Sequence, residues 1–341
     1  MVRKPSAFVE GLKLMGQVMK FPRRTFLHLA GGAAALPAVS RIAQAQAYPA
    51  RPVHIVIGLP AGLSPDIVVR LVGQQLSERL GQPVVIENRP GAGGSIAAEL
   101  VVRAPPDGYM LLLTIASDAF NATLYPNLAF DYVGDIAPVA MICTTLFVMV
   151  VSPSVPAKTV PEFIAYAKAN PGKINMASAG IGTAPHLFGE LFKMMTGIDL
   201  VHVPYRSNYL PDLLGGQVQV SFTSIPATIE YIRTGKLRAL AVTNATRLEM
   251  LSDIPAIGEF VPGYEANGWN GIGAPKSTPT KIIEKLNNEI NAVIADPNIK
   301  TRLVGLGVAP MSMTPAEFGK LITDETEKWA KVIKFAGIKP G

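Results

Sequence analysis

The first stretch of this chain that is able to do chemistry is a glycine turn that carries a hydroxyl and a carboxylate. A β-branched run from Val53 to Leu59 predicts a buried strand before the turn. Apolar residues then recur at helical spacing from Ile67 to Leu80, and Gly81 stands where the glycine after a helix belongs. We expect Ser64 to be the N-cap of this helix, with Pro65 at its first position. The turn residues of interest are Ala61, Gly62, Leu63, Ser64 and Asp66.

A strand that enters a helix through such a turn leaves backbone N–H groups without partners. Together with the positive end of the helix dipole, these groups favour a carboxylate or a phosphate. Turns of this kind also occur in α/β proteins without binding anything, so one turn does not define a site. Asp66 would favour the dipole but repel an anion, and therefore binds either backbone amides or a cationic group of a ligand.

A second turn of the same kind follows the predicted strand from Lys173 to Ala177. Thr183 is its expected N-cap, and the helix runs from Ala184 to Thr196 before Gly197. His186 lies one turn into this helix, where the positive end disfavours its protonation, and is more often a hydrogen-bonding residue than a base. The candidate residues of the second turn are Ser178, Ala179, Gly180 and Thr183, with His186 behind them.

Three further polar residues follow predicted strands. Ligands of open parallel sheets bind beyond the carboxyl ends of the strands, where this chain carries Ser117, Tyr205 and Ser224. Tyr205 either packs or donates to a ligand. The whole set consists of hydroxyls and backbone amides, which suits a small carboxylate held by neutral donors and by water.

No catalytic motif accompanies these residues. The sequence has no Gly-x-Ser-x-Gly or His-Glu-x-x-His, and its glycine loops lack the third glycine of a dinucleotide fingerprint. Four histidines and one cysteine without close spacing indicate no metal site, and Cys143 in an apolar run is expected to be a buried structural thiol. We therefore predict no enzyme activity and no cofactor.

The elements that must position these residues alternate between strands and helices, which predicts α/β lobes with parallel sheets. The long apolar run from Ala137 to Val151 is expected to form two strands and to cross into a second lobe, and the segment from Asn267 to Gly273 to cross back. Two helices, Thr280 to Ala295 and Pro315 to Ala336, are predicted to cover the first sheet. The predicted lobes are residues 48–147 with 269–341, and residues 148–268, hinged around a cleft.

Residues 1–47 are expected to be an export leader rather than part of the fold. Arg23 and Arg24 begin a twin-arginine signal, and Ala45-Gln46-Ala47 provides a cleavage site, so the mature chain should begin at Tyr48 in the periplasm. The apolar segment is too short for a stable membrane anchor, which is the alternative. The leader holds seven of the 31 basic residues and one of the 25 acidic residues, leaving 24 of each, so nothing predicts a nucleic-acid surface.

The mature chain resembles the Bug-type periplasmic solute-binding proteins of tripartite tricarboxylate transporters over nearly its full length. The most specific landmark is Glu87-Asn88-Arg89-Pro90-Gly91-Ala92-Gly93-Gly94. Further landmarks, in order, are Pro60-Ala61-Gly62 with Ser64 and Asp66, Pro106-Asp107-Gly108-Tyr109, Asn170-Pro171-Gly172-Lys173, Val201-His202-Val203-Pro204-Tyr205, Leu213-Leu214-Gly215-Gly216-Gln217-Val218 and Gly235-Lys236-Leu237-Arg238-Ala239-Leu240-Ala241.

The resemblance implies a two-lobed type II periplasmic-binding-protein fold, the Venus flytrap. It also implies a small carboxylate ligand held partly through ordered waters and a membrane permease as partner. Three departures bear on the ligand: Leu63 replaces a glycine, the segment 206–211 is shorter, and Thr223-Ser224 stands where an aspartate is common. Together they favour a ligand with an apolar body over aspartate or glutamate.

The expected function is therefore that of a monomeric periplasmic receptor that captures an organic acid between two lobes for a tripartite tricarboxylate-type transporter. One alternative is a receptor that reports its ligand to a sensor kinase. The other is a periplasmic enzyme exported through the twin-arginine route.

Overall fold

The computed structural model describes residues 48–125, 127–205 and 208–339, and the chain from Tyr48 onward forms one compact unit. The predicted leader and its cleavage site lie outside these residues. Among the described helices, none combines the length and the apolar character that crossing a membrane requires.

Strands and helices alternate along most of the chain. The strands are β1 Val53–Ile57, β2 Val84–Asn88, β3 Met110–Ile115, β4 Ile136–Thr145, β5 Phe147–Val151, β6 Asn175–Ser178, β7 Val201–Pro204, β8 Val220–Ser224, β9 Arg238–Val242, β10 Gly268–Pro275 and β11 Val308–Pro310. The helices are α1 Ser64–Leu80, α2 Ser95–Val102, α3 Ala116–Leu124, α4 Val160–Ala169, α5 Ala184–Thr196, α6 Leu210–Leu214, α7 Ile225–Arg233, α8 Thr280–Ala295, α9 Pro297–Gly305 and α10 Pro315–Ala336.

The strands form two sheets, one in each lobe. The first has the order β11-β4-β10-β3-β1-β2 and the second the order β7-β6-β8-β5-β9. The expected parallel pairing holds for β1 with β2 and β3, and for β6 with β7 and β8. It is wrong for β10 and β5, which run antiparallel to their neighbours because each enters its sheet directly from the other lobe.

The two predicted crossings are present in the chain path. The apolar run forms two strands, with Leu146 alone between β4 in the first sheet and β5 in the second. The return segment contains β10, a strand buried along its whole length between β3 and β4. The exact lobe boundaries at residues 147/148 and 268/269 stay a prediction.

Helix α10 does more than cover the first sheet. It packs on α3 and β4 of the first lobe and also on α5 of the second. Its buried Trp329 lies against Phe120 of α3, at 5.1 Å between ring centroids, and against Phe188 of α5, at 5.4 Å. One hydrophobic cluster therefore continues from one lobe into the other.

Several element ends differ from the sequence prediction. Leu63, not Ser64, is the N-cap of α1, whereas Thr183 is the N-cap of α5 as predicted. Gly81 and Gly197 end their helices in the left-handed conformation, as expected. Helix α9 and strand β11 were not predicted, because α9 follows α8 after a single residue and β11 has only three residues.

Candidate functional site

A cavity of about 500 Å³ lies between the two lobes. It opens where β1, β3, β6 and β8 end and the helices that follow them begin. The residues that line it come from both lobes and from the returning strand β10: Leu63, Ser64, Pro65, Ile115, Ala116, Ser117, Phe120, Thr145, Phe147, Ala179, Thr183, Ala184, Pro185, Tyr209, Thr223, Ser224, Ala227, Gly268, Trp269 and Asn270.

Four helix N-termini meet at this cavity, those of α1 and α3 from the first lobe and those of α5 and α7 from the second. In each helix the N-cap side chain makes no hydrogen bond to the first turn. The first N–H groups of a helix have no partner within it, and its dipole places partial positive charge at this end. The cavity wall is therefore electropositive without a cation.

The side chains of the wall are neutral. Aspartate, glutamate, lysine, arginine and histidine are all absent from the described residues that line the cavity. Hydroxyls of Ser64, Ser117 and Ser224 provide polar positions, and Leu63, Phe120, Phe147, Tyr209 and Trp269 provide apolar surface. A wall of this composition suits an anion whose body is apolar.

The first turn is held by Asp66, which faces away from the cavity. The N–H of Gly62 donates to Asp66 Oδ2 at 2.8 Å, and Arg70 Nε and Asn88 Nδ2 each donate to Oδ1 at 3.0 Å. Burial raises the pKa of Asp66, but these hydrogen bonds outweigh it and hold the pKa below its usual range. The Gly62 amide is thus not free, and Asp66 binds a backbone amide, as one of the two alternatives proposed.

The second turn is held by histidines. The N–H of Gly182 donates to His186 Nδ1 at 3.1 Å. His202 Nε2 lies 2.6 Å from Ser178 Oγ, which accepts the Gly180 N–H at 3.1 Å. The Thr183 hydroxyl donates to the Gly180 carbonyl at 2.8 Å, so Thr183 faces the cavity mainly with its backbone.

The structure brings about half of the predicted site residues to the cavity. Those that line it are Leu63, Ser64, Ser117, Ala179, Thr183 and Ser224. Those that do not are Ala61, Gly62, Asp66, Ser178, Gly180, His186 and Tyr205. The Tyr205 hydroxyl donates to Asp212 Oδ2 at 2.6 Å instead.

Sequence reasoning missed the apolar part of the wall. Phe120 lies a few residues after the strand predicted from Met110 to Thr114, and Phe147 lies in the apolar run predicted to cross between the lobes. Tyr209 lies four residues after the candidate Tyr205. Trp269 and Asn270 belong to the segment whose glycine density marked the return crossing. That density was a usable signal, since a crossing between two lobes must pass the base of their cleft.

The remaining chemical candidates are structural. Cys143 is buried, accepts a hydrogen bond from Asn270 Nδ2 at 3.4 Å, and has a pKa raised to about 12 by burial. A thiol with such a pKa is not a nucleophile. Among the residues described, no group of three or more metal-binding side chains is placed to hold an ion.

Comparison with known proteins identifies this arrangement. The model of the tripartite tricarboxylate transporter family receptor, TctC, matches residues 68–338. The chain belongs to this receptor family. The TctC receptor is 35% identical over 300 residues to the BugT protein of Bordetella pertussis, covering 86% of this chain and 92% of that protein. The predicted resemblance to Bug-type proteins is confirmed.

Solved structures of relatives share the two-lobed fold. A solved structure of an R. palustris protein with adipate is 35% identical in sequence, and the match covers 86% of this chain and 100% of that chain with a TM-score of 0.73. The MatC protein of Rhodopseudomonas palustris with bound malate is 29% identical, covers 84% and 100%, and has a TM-score of 0.70. The predicted Venus-flytrap fold is confirmed.

Proposed function

We propose that this chain is a periplasmic solute-binding receptor that holds a small carboxylate between its lobes and delivers it to a tripartite tricarboxylate-type permease. The observation that supports this proposal is the meeting of four helix N-termini, none capped by its N-cap side chain, around one neutral cavity. Such a site stabilises an anion by N–H groups and helix dipoles. The twin-arginine leader in residues 1–47 is the proposed route to the periplasm.

The lobes that close on the ligand are, in this proposal, residues 48–147 with 269–341, and residues 148–268. The ligand contacts from the first lobe are Ser64, Ser117 and the backbone after Leu63. Those from the second are Ala179, the backbone of Thr183, and Ser224. Asp66 and His186 hold the two turns and do not touch the ligand.

The proposed ligand is an organic acid without an ammonium group. An α-amino acid places a positive charge in the site, which has to be paired or left in water. Asp66, the carboxylate of the first turn, does not line the cavity and is occupied by Gly62, Arg70 and Asn88. The aromatic residues Phe120, Phe147 and Trp269 favour an aliphatic or aromatic body.

A thermal-shift and calorimetry screen tests the proposal. The panel contains adipate, malate, benzoate and aspartate. A ligand that binds only the folded state raises the melting temperature. We expect adipate and benzoate to raise it most, because their apolar bodies match the apolar part of the wall. Mass spectrometry should recover the acid unchanged. Conversion of the acid would make the protein an enzyme, and the lack of any shift over a broad acid panel would contradict the proposal.

Two serine variants, one from each lobe, test the assigned contacts. We expect Ser64→Ala and Ser224→Ala each to weaken binding of the best acid by about tenfold to a hundredfold, the cost of losing a hydrogen bond to a charged oxygen. Ser252→Ala is the matched control, because Ser252 is exposed and does not line the cavity. Equal affinities for all three variants would show that the contacts are assigned wrongly.

A further inference from the structure

The two turns at the cavity have the same local design. In Gly62-Leu63-Ser64-Pro65-Asp66 and Gly182-Thr183-Ala184-Pro185-His186, a glycine precedes the N-cap and a proline lies in the first turn. The glycines have φ +87° and +76°, and the N-caps have φ/ψ of −76°/158° and −79°/160°. The lobes therefore repeat one strand-turn-helix unit down to its backbone angles.

The fifth residue of each unit accepts the N–H of the glycine. Asp66 Oδ2 accepts it at 2.8 Å in the first turn, and His186 Nδ1 accepts it at 3.1 Å in the second. An imidazole nitrogen accepts a hydrogen bond only when it carries no proton, so the proton of His186 is on Nε2. That nitrogen lies 3.8 Å from Glu190 Oε1.

His202 supports His186 by stacking on it. The two rings lie 3.6 Å apart between centroids and 8° from parallel. His202 Nε2 in turn contacts Ser178 Oγ, the acceptor of the Gly180 N–H. The stacked pair thus holds both glycine amides of the turn, one directly and one through Ser178.

The surroundings keep the pair neutral. Burial lowers the pKa of His186 to about 3, with further lowering from His202 and Lys193, and burial with Lys193 lowers that of His202 to about 4. Lys193 pairs with Glu190 at 3.0 Å, and Asp199 is the other carboxylate that acts on Glu190. The lysine therefore offsets the charge of Glu190, the carboxylate beside His186 Nε2.

We propose that His186, stacked on His202, positions the second cavity turn as Asp66 positions the first, and that it acts on ligand binding through this turn. The inference rests on the proposed function for its effect on binding, but not for its effect on the turn. Protonation of His186 converts Nδ1 into a donor facing the Gly182 N–H. Acid therefore loosens the second turn, whereas Asp66 keeps an oxygen that accepts the Gly62 N–H whether or not its carboxyl is protonated.

Two substitutions in the full chain test whether His186 acts as a hydrogen-bond acceptor or only fills space. His186→Asn keeps a side-chain oxygen close to the position of Nδ1, and His186→Phe keeps a ring for the stack but has no acceptor. By hydrogen exchange we expect amides of residues 178–183 to exchange at least tenfold faster in the Phe variant than in the wild type. The Asn variant should stay within about threefold, and residues 61–64 should not change in either.

Binding of the best acid in the adipate, malate and benzoate panel should follow the same order, with about a tenfold loss for Phe and rescue by Asn. The exchange measurement needs no ligand, so its result stands whether or not an acid binds. Equal exchange of residues 178–183 in the wild type and the Phe variant overturns the proposal, as does failure of Asn to restore protection.

Nitrogen NMR of the wild type provides a second test that needs no variant. We expect His186 in the Nε2–H tautomer, without titration between pH 8 and 5. Protection of residues 178–183, corrected for the intrinsic exchange rate at each pH, should fall only as the pH approaches 3. Protonation of His186 Nδ1 at pH 7, or equal acid loosening of both turns, would contradict the proposal.

Discussion

Asp118 is a buried carboxyl group in the first turn of α3, directly after the cavity residue Ser117. Its Oδ2 accepts the N–H of Ile115 at 2.9 Å, and none of the described lysines or arginines pairs with it. Burial raises its pKa to about 7. Between pH 4 and 7 the folded chain therefore keeps a proton that the unfolded chain has released, and stability falls as the pH rises through this window.

Asp118→Asn should remove this dependence. The amide oxygen can still accept the Ile115 N–H, and no charge has to be buried, so we expect a gain of about 1–4 kcal/mol in unfolding free energy at pH 8. At pH 4 the gain should be close to zero. Urea unfolding of both proteins at the two pH values measures it, and an equal effect at both would show that the buried charge is not the cause.

At the scale of single elements, α10 is the helix that joins the lobes. Trp329 lies against Phe120 and Phe188, and its Nε1 donates to the buried Glu325 Oε2 at 2.7 Å. Phe120 also lines the cavity. A second ring of the cavity wall, Trp269, lies 5.6 Å from Phe318 of α10 between ring centroids, so this helix packs directly against the wall.

Trp329→Leu should destabilise the fold by about 2–4 kcal/mol, because it leaves a cavity and removes the donor to Glu325 Oε2, although Lys328 still pairs with Oε1. We also expect weaker ligand binding, since Phe120 loses its support. Phe335→Leu on the same helix is the control: Phe335 is 57% exposed and its loss should change stability by less than about 0.5 kcal/mol. Thermal unfolding and calorimetry measure both effects, and similar losses for the two variants would be against this role of Trp329.

A glycine at the end of α9 sets how closely the lobes approach. Gly307 has φ +73°, and a Cβ there would lie 1.8 Å from Pro226 Cγ of α7, which belongs to the second lobe. Gly337, at the end of α10, has φ +61° and open space at the same position. The two glycines therefore share a left-handed backbone and differ in their contact with the other lobe.

Gly337→Ala should cost about 1–2 kcal/mol for its left-handed backbone. Gly307→Ala should cost clearly more, because the added methyl also pushes the lobes apart. Denaturant unfolding measures the costs, and small-angle scattering measures the separation of the lobes. Equal costs and unchanged scattering would mean that α9 and α7 are free to move past each other.

The sequence allowed most elements to be predicted, since the periodicity of α1, α5, α8 and α10 follows from burial of one face. It did not allow the antiparallel direction of β10 and β5, because strand direction depends on which lobe the chain arrives from. The sequence indicated both glycine turns but not which of their side chains line the cavity. Asp66 and His186 were both ligand-binding candidates, with a backbone amide as one alternative for Asp66 and hydrogen bonding as the expected role of His186. Each accepts a glycine N–H and does not line the cavity.

For the molecule as a whole, the lobes are joined by two strand crossings, by α10 and by a shared hydrophobic cluster. They also meet at two further places, where Gly182 lies close to Leu124 and Gly307 lies close to Pro226. Lobes joined by hydrophobic packing move less freely than lobes joined by linkers alone. The fold and family followed from the whole order of sequence landmarks, while the apolar wall depended on contacts distant in sequence.

In the proposed function the receptor must release its ligand as well as bind it, and the neutral cavity lining affects release. When an acid is bound by lysine or arginine, its release leaves the cation without a partner, and the free-energy cost of breaking this salt bridge slows release. In this cavity, release of the carboxylate leaves only amide and hydroxyl groups without partners, and water can hydrogen-bond to them immediately. In the proposed function, release of the acid from such a lining requires rehydration of amides and hydroxyls rather than the breaking of a salt bridge.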